Sequence, residues 1–309
     1  VATRGLWGGL VLLGQAPINK CSYSTAGTAT TAGVRVDPCE KDVEGSVGDT
    51  MGGENPSDSS GTLKYLRVQY AGYEVFPGNE LNGITFGGVG SGTTVEYIQV
   101  HNNADDCVEF FGGTVDVKYL VCTGADDDNL DIDWGYQGRL QYVIVQQSND
   151  KGDHIVESDN TNADKAVGYL TEPRSRPMVA NFTFLAQGAD EPLKYKEGVS
   201  GRYINGLVSN NVSQNMIEST NLETIQDGAL TPKIQHHSVF MDSAGDTSPF
   251  KADTDVSGVS AAQLEASIKE RATDLVLGTN TLVSGMFLGD AEQAVTSAFD
   301  VSRVQAMCA

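Results

Sequence analysis

The sequence predicts an all-β fold, a right-handed parallel β-helix whose coils are about 22–25 residues long. Three observations predict it. A two-part unit of short segments repeats along the chain, and acidic or Asn/Gly corners separate the segments. The 309 residues also include 35 glycines but only 7% aromatics, a composition that suits many short strands joined by tight corners. Such a length supports one large domain or at most two.

The first part of the unit is a Tyr-type segment with alternating apolar residues, at 65–68, 97–100, 119–122 and 142–145, with looser copies at 182–184, 203–204 and 237–240. The second part alternates at 84–86, 108–110, 130–132, 155–156, 193–195 and 216–217. Strand side chains alternate between faces, and stacked coils lie about 4.8 Å apart. We therefore expect Val108, Leu130 and Ile155 to form one inward-facing column. Leucine-rich repeats have a similar period, but their Leu/Asn consensus is absent.

The β-helix is predicted to span residues 1–245, with two interruptions. Residues 14–60 show little periodicity and predict a long loop, and the Pro/Arg-containing stretch 165–178 predicts an inserted loop. Residues 246–309 are predicted to form a C-terminal cap and tail. A capping-box pattern that begins at Ser260 and apolar residues at helical spacing predict a helix near 260–273, which would cover the open end of the solenoid.

The charge balance excludes some partners. Asp and Glu number 41 against 20 Lys and Arg, which gives a formal charge of −21 and a pI near 4.4. Such a surface repels nucleic acid and anionic membranes and attracts cations. No apolar run approaches the ~18 residues of a membrane-spanning helix. Because the chain starts at Val1 with neither Met nor a basic leader, we expect a mature, processed product.

The five cysteines leave the disulfide pattern open. Cys21 and Cys39 lie in one polar loop with little core of its own, where a disulfide between them would favour an oxidising compartment. Cys107 and Cys122 lie on neighbouring repeats and either pair or stay buried as small apolar residues. Cys308 is left over.

Carboxylates cluster around the second part of the repeat. Val108 and Phe110 are expected to point inward, which leaves Glu109 outside, and the same alternation leaves Asp131 and Asp133 outside. Like charges about 5 Å apart on stacked coils need a cation or a raised pKa, and calcium prefers clustered oxygen ligands. The predicted Ca²⁺ ligands are Asp105, Asp106, Glu109, Asp126, Asp127, Asp128, Asp131 and Asp133. The alternative is a solvated acidic face without a fixed ion.

Three segments, 8–19, 61–72 and 82–93, carry a resemblance to a known family. The first begins Gly-Gly-Leu-Val-Leu-Leu, the second Gly-Thr-Leu-Lys-Tyr and the third Asn-Gly-Ile-Thr-Phe. They resemble a family of secreted bacterial β-helix proteins that includes lipoproteins and surface proteins. The resemblance covers roughly residues 5–245. It implies a pectate-lyase-like fold and an extracellular or cell-surface location, and it implies no settled activity.

A weaker resemblance concerns catalysis. The Ala-Asp-Asp-Cys-Val segment at 104–108 is similar to the aspartate-pair motif of polygalacturonases, and 152–154 (Gly-Asp-His) and 194–196 (Lys-Tyr-Lys) partly match their histidine and lysine motifs. However, the Asn-x-Asp motif expected one coil earlier is replaced by 82–85, which contains no acid. The catalytic candidates are Asp105, Asp106, Asp131, His154, Lys194 and Lys196. A calcium-dependent lyase would need a basic residue, for which Lys194, Lys196 and Arg139 are candidates.

Four more residues carry expectations. Trp134, directly after Asp133, is a hypothesis for a sugar-stacking surface, whereas Trp7 is expected in the core. His236 and His237 are adjacent on a predicted strand, so one should be buried and the other exposed.

The sequence favours a non-enzymatic, calcium-binding β-helix outside the cell or on its surface. Its expected role is to build a layer, a filament or an adhesive surface, with self-association or a surface polysaccharide as the partner. One alternative is a polysaccharide lyase or glycoside hydrolase that acts on an acidic polysaccharide. The other is a carbohydrate-binding module without turnover.

Overall fold

The structure is a computed structural model that describes residues 3–28, 31–76, 79–161, 168–187, 190–210, 215–219, 234–242, 249–252, 260–271 and 273–278. Across these residues it contains one helix, α1 (Ala261–Arg271), and the strands β1 (Leu10–Leu13), β2 (Ser22–Thr25), β3 (Val34–Val36), β4 (Lys41–Asp42), β5 (Thr50–Met51), β6 (Thr62–Gln69), β7 (Glu74–Phe76), β8 (Asn79–Glu80), β9 (Ile84–Gly87), β10 (Thr94–His101), β11 (Val108–Phe111), β12 (Asp116–Thr123), β13 (Leu130–Asp133), β14 (Arg139–Gln146), β15 (Val156–Ser158), β16 (Met178–Ala186), β17 (Leu193–Tyr195), β18 (Gly201–Asn210), β19 (Ile217–Ser219), β20 (Ile234–Asp242), β21 (Phe250–Ala252) and β22 (Thr273–Gly278).

Two eight-stranded parallel sheets form the body of the molecule. The short-strand sheet has the order β1-β9-β11-β13-β15-β17-β19-β21, and the long-strand sheet has the order β6-β10-β12-β14-β16-β18-β20-β22. From β9 to β22 the chain alternates between the two sheets, so each coil lies on the previous one. The fold is a right-handed parallel β-helix, as the sequence predicts.

The predicted C-terminal helix is also confirmed. Ser260 and Gln263 form a reciprocal capping box, in which the Gln263 backbone N–H donates to Ser260 Oγ at 3.3 Å and the Ser260 N–H donates to Gln263 Oε1 at 2.9 Å. The helix packs against β20 and β21 and buries Leu264 and Ile268 in the main core. It therefore covers apolar surface at this end of the coils.

Inward-facing side chains of the short-strand sheet form continuous columns. One column consists of Leu10, Ile84, Val108, Leu130, Val156, Leu193, Ile217 and Phe250. The expectation for Ile155 is wrong by one residue, because Val156 is the partner of Leu130. At this corner the backbone N–H groups of Ile155 and Val156 both donate to Pro192 O, at 2.9 and 3.0 Å. This irregularity shifts the register by one residue while Ile155 stays buried.

A tyrosine ladder runs along the outside of the long-strand sheet. Tyr65, Tyr97, Tyr119 and Tyr142 have positive φ angles of 57–62°, which bend the strands in their middle. Their rings stack with centroid distances of 4.7, 4.5 and 5.0 Å and interplanar angles of 5–7°. Positive φ is costly for a bulky residue, and ring stacking offsets part of that cost. The next coils place Asn181, Asn205 and Ser238, also with positive φ, at the same bend.

The long loop after β1 folds onto the outer face of the short-strand sheet. Its Ile18, Val43 and Met51 pack with Phe111 and Trp134 in a second hydrophobic core. Cys21 and Cys39 form a disulfide within the loop, and Cys107 and Cys122 form another in the main core. As a result, part of the short-strand sheet's outer face is covered by the chain itself.

Both sheets continue past residue 245, through β21 and β22. Residues 162–167, which include part of the expected inserted loop, lie outside the described residues, and so do 279–309 with Cys308. Over the part that is described, no helix is long and apolar enough to cross a membrane.

The tyrosine ladder generates a stability prediction. Replacing Tyr119 by Ala removes two ring contacts, whereas Tyr65→Ala removes one, and both positions keep the same positive φ of 57°. Each ring pair contributes about 0.5–1.5 kcal/mol beyond area burial. We expect Tyr119→Ala to lower the free energy of unfolding by about that amount more than Tyr65→Ala, as measured by urea denaturation. Equal losses would show that stacking does not support the bend.

Candidate functional site

The outer face of the short-strand sheet carries a column of ionisable side chains. The register that stacks the core residues also stacks their outward-facing neighbours. After Thr85, the column consists of the ionisable residues Glu109, Asp131, Glu157, Lys194, Glu218 and Lys251. Glu109 and Asp131 are direct register partners. The parallel pairing of identical strand positions therefore brings their like charges together.

The corners before these strands add more carboxylates and connect successive coils. The backbone N–H of Asp128 donates to Asp106 Oδ1 at 3.0 Å, and one coil later the N–H of His154 donates to Asp128 Oδ1 at 2.6 Å. Each of these two carboxylates thus caps a backbone group of the next coil. Among the described residues, no hydrogen bond is seen to the other oxygen of either carboxylate.

Corner and strand carboxylates meet in three overlapping clusters, in each of which the ligand atoms lie within 4.8 Å of one another. They are Asp105–Asp106–Asp127, Asp106–Glu109–Asp131 and Asp128–Asp131–Glu157. We call the seven residues of these clusters the acidic wall. Glu109 is only 7% exposed, and Asp106 and Asp128 are also buried. Three of the seven residues are therefore shielded from solvent, whereas Asp127 is exposed and the other three are partly buried.

Burial and mutual repulsion raise the pKa of most of these carboxyls. Burial is the main cause at Asp106 and Glu109, followed by the neighbouring charges of Asp105 and Asp131, and it raises both pKa values well above the ordinary range. Burial, followed by the charge of Asp127, raises the pKa of Asp105 to about 7. Asp128 and Asp131 are shifted in the same direction by burial and by Glu157. In the absence of a cation, these groups can lower their repulsion only by holding protons.

Two lysines neutralise one end of the acidic wall. Lys196 Nζ lies 2.7 Å from Glu157 Oε2 and 3.5 Å from Asp159 Oδ2, and Lys194 Nζ lies 3.3 Å from Glu157 Oε1. Burial alone would raise the pKa of Glu157, but the two lysines offset it and hold that pKa below its ordinary value. In the described part of the chain, no Lys or Arg forms an ion pair with Asp106, Glu109 or Asp131.

The donor set at Asp106, Glu109 and Asp131 fits calcium. One oxygen of each of the three carboxylates lies in the cluster, and calcium takes 6–8 oxygens from side chains and water at about 2.3–2.6 Å in flexible geometry. Asn82 donates an amide hydrogen bond to Glu109, while its buried Oδ1 has no hydrogen-bond partner among the residues described. That arrangement provides one more oxygen of the kind calcium binds beside the cluster.

Not all of the predicted ligands join these clusters. Asp126 forms an ion pair with Lys151 at 3.2 Å, and buried Asp133 interacts with Asp159. The catalytic candidates Asp105, Asp106, Asp131, His154, Lys194 and Lys196 do lie along the same side of the short-strand sheet. Arg139 does not, because it is on the long-strand sheet and pairs with Asp116.

Other acidic residues of this region were missed from the sequence. Glu44 and Glu80 come from the loop and from β8, and their charges help to raise the pKa of Asp105. Glu157 continues the outward column, and Asp153 lies beside His154. Aligning Val156 of β15 with Leu130 would have predicted from the sequence that Glu157 stacks on Asp131. The repeat pattern does not predict the positions of Glu44 and Glu80, because these residues belong to the irregular loop and to the β7–β8 hairpin.

Both tryptophan expectations are wrong. Trp134 is buried in the second core, against Phe111 at a ring distance of 4.5 Å, because the long loop covers it. Trp7 is 45% exposed, and its indole N–H donates to Gln69 O at 3.0 Å. His236 is fully buried beside the Tyr195 hydroxyl, 3.1 Å away, and His237 is partly exposed.

Comparisons with known proteins agree with the fold. Searches of curated proteins and of solved structures gave no match to the chain. A family model described as "Pectate-lyase like beta helix domain" matches residues 1–280, a range that contains every strand described here. The chain belongs to the family of pectate-lyase-like β-helix domains.

Proposed function

We propose that this protein is a non-enzymatic extracellular β-helix that binds calcium at the acidic wall, with Asp106, Glu109 and Asp131 as the central ligands. The observation that carries the proposal is the convergence of three carboxylates, two of them buried, without an ion-paired Lys or Arg among the described residues. A divalent cation removes the repulsion and the cost of burying charge together.

The state of the lysines argues against a lyase. Burial would lower the pKa of both lysines. The charges of Asp159 and Glu157 raise the pKa of Lys196 above its ordinary value, and the charge of Glu157 does the same for Lys194. A general base must release its proton near the working pH, and these ammonium groups hold theirs tightly. Arg139, the third candidate base, lies on the other sheet.

The disulfides support an oxidising location. Four of the five cysteines are paired, two in the loop and two in the main core. Disulfides persist in secreted and surface proteins and are rare in the cytosol of mesophiles. Calcium is also available outside the cell at concentrations that suit weak modular sites. An extracellular or bacterial cell-surface location is therefore part of the proposal.

Calcium titration tests the site. We expect the full chain to bind Ca²⁺, and Glu109→Gln to weaken the affinity at least about tenfold, because the amide keeps the shape but loses a charged ligand. Isothermal titration calorimetry measures both.

The matched control is Glu96→Gln on the long-strand sheet, where Glu96 pairs with Lys64 at 3.0 Å. This variant removes one acid of the same type, so it should bind calcium like the wild type. A wild-type chain that gives no calcium binding would refute the proposal. If both variants weakened the calcium affinity equally, that affinity would depend only on the net charge of the protein.

The raised pKa values predict how stability depends on pH. A carboxyl whose folded pKa is raised stabilises the fold below its unfolded pKa of about 4, and this contribution is lost as pH rises through the folded value. For Asp105 that window reaches about pH 7. In chelator, the free energy of unfolding should therefore fall between pH 5 and 8, by up to about 1.4 kcal/mol per pH unit for each carboxyl still protonated.

Urea denaturation at pH 5, 6.5 and 8 measures this dependence. Calcium should reduce the fall in the free energy of unfolding with rising pH, because the cation takes the place of the protons. In chelator, Glu109→Gln should make this pH dependence weaker. Stability in chelator that increases over this range would contradict the assignment.

Assembly or adhesion is the proposed use of the domain. Leu6, Trp7, Tyr65 and Tyr73 are exposed around the first coil, where β1 and β6 are the end strands of their sheets. Exposed apolar residues favour contact with another chain. We expect electron microscopy of the purified protein to show linear or layered assemblies with calcium and fewer with a chelator. Monomers under both conditions would exclude self-assembly, and adhesion to a surface polysaccharide would then be the remaining role.

A further inference from the structure

His154 lies at the corner before β15, where its side chain is only 2% exposed. Its Nδ1 is 2.6 Å from Glu191 O. A carbonyl oxygen can only accept a hydrogen bond, so Nδ1 carries the proton and Nε2 of the neutral ring presents a lone pair. That Nε2 is buried and has no hydrogen-bond partner among the residues described.

Two carboxylate oxygens lie near Nε2, and the ammonium of Lys194 is close enough to help lower the pKa of His154. Asp153 Oδ1 lies 3.4 Å away and Glu157 Oε1 lies 3.9 Å away. A lone pair that faces carboxylate oxygens is stabilised only when a proton or a metal cation lies between them. Glu157 already pairs with Lys194 and Lys196, whereas Asp153 interacts with the carboxyl of Asp190 and forms no close ion pair with a lysine or arginine among the described residues.

Asp128 completes a set of three donors. One oxygen of Asp128, one of Asp153 and a ring nitrogen of His154 lie within 4.8 Å of one another. Since Nδ1 is engaged by Glu191, Nε2 is the nitrogen that remains free.

The backbone fixes this geometry before any ion binds. The His154 N–H donates to Asp128 Oδ1 at 2.6 Å, and the Asn129 N–H donates to His154 O at 3.1 Å. The Asp153 N–H donates to Asp127 O at 3.0 Å. A histidine whose Nδ1–H is held by a carbonyl is the usual outer-shell arrangement of a metal-bound imidazole.

We propose that Asp128, Asp153 and His154 form a second metal site that takes a transition dication such as Zn²⁺. The imidazole nitrogen distinguishes it from the calcium ligands at Asp106, Glu109 and Asp131, because calcium selects oxygen whereas zinc binds nitrogen and carboxylate oxygen. Asp153 is 41% exposed, so the site has a route to solvent for ion exchange and for a water ligand.

Zinc titration of the full chain in excess Ca²⁺ tests the site. We expect one Zn²⁺ per chain that calcium does not displace, measured by isothermal titration calorimetry. His154→Gln and Asp153→Asn should each weaken zinc at least about tenfold, the lower end of what even an outer-shell change costs a metal site. Asp153→Asn keeps the test valid if His154→Gln fails to fold, because Asp153 is partly exposed.

Two variants serve as controls. His101→Gln should leave zinc affinity unchanged, because His101 Nδ1 contacts Thr123 Oγ1 at 2.7 Å, away from these carboxylates. Glu109→Gln should weaken calcium binding and leave zinc binding unchanged, which separates this site from the proposed calcium site. The inference is overturned if the wild type binds no zinc, or if His154→Gln and Asp153→Asn bind it as tightly as the wild type.

Discussion

Parallel, in-register stacking of the coils is the constraint on which the rest of the structure depends. Each strand pairs with the equivalent strand of the next coil, about 4.8 Å away. Inside the solenoid this places like side chains in contact, as in the register pair of Phe86 and Phe110, with a ring distance of 5.1 Å. Apolar contacts of this kind stabilise every coil against its neighbours.

Outside the solenoid the same register is destabilising, because it stacks like charges. Glu109 and Asp131 occupy equivalent positions, so stacking forces two carboxylates together. Farther along the column Lys194 follows Glu157, and an ion pair replaces the repulsion. The two ends of the acidic wall therefore differ in how far their negative charge is neutralised. Its lysine end is balanced by the chain itself, and its other end requires protons or a cation.

The long loop increases the need for protons or a cation at that end of the acidic wall. By packing Ile18 and Met51 against Phe111 and Trp134, it covers part of the sheet that would otherwise be solvated. Glu44, from this loop, and Glu80, from β8, add their charge to the same region. Burial strengthens every electrostatic interaction in the site. A disulfide holds the loop that provides part of the cover, which links the proposed oxidising location to the proposed ion site.

The sequence by itself determined the coil, the inward columns and the helix over the last coils, because side-chain alternation and a repeat period are local properties of the chain. It also paired Glu109 with Asp131 on one face, since that pairing follows from the register alone. Only the tertiary structure decided that Glu109 on this face is buried, that Trp134 lies in a second core, and that Val156 rather than Ile155 continues the column. It also decided that His154 directs a free nitrogen at Asp153. These features depend on how an aperiodic loop and irregular corners pack, and no repeat encodes such contacts between residues distant in sequence.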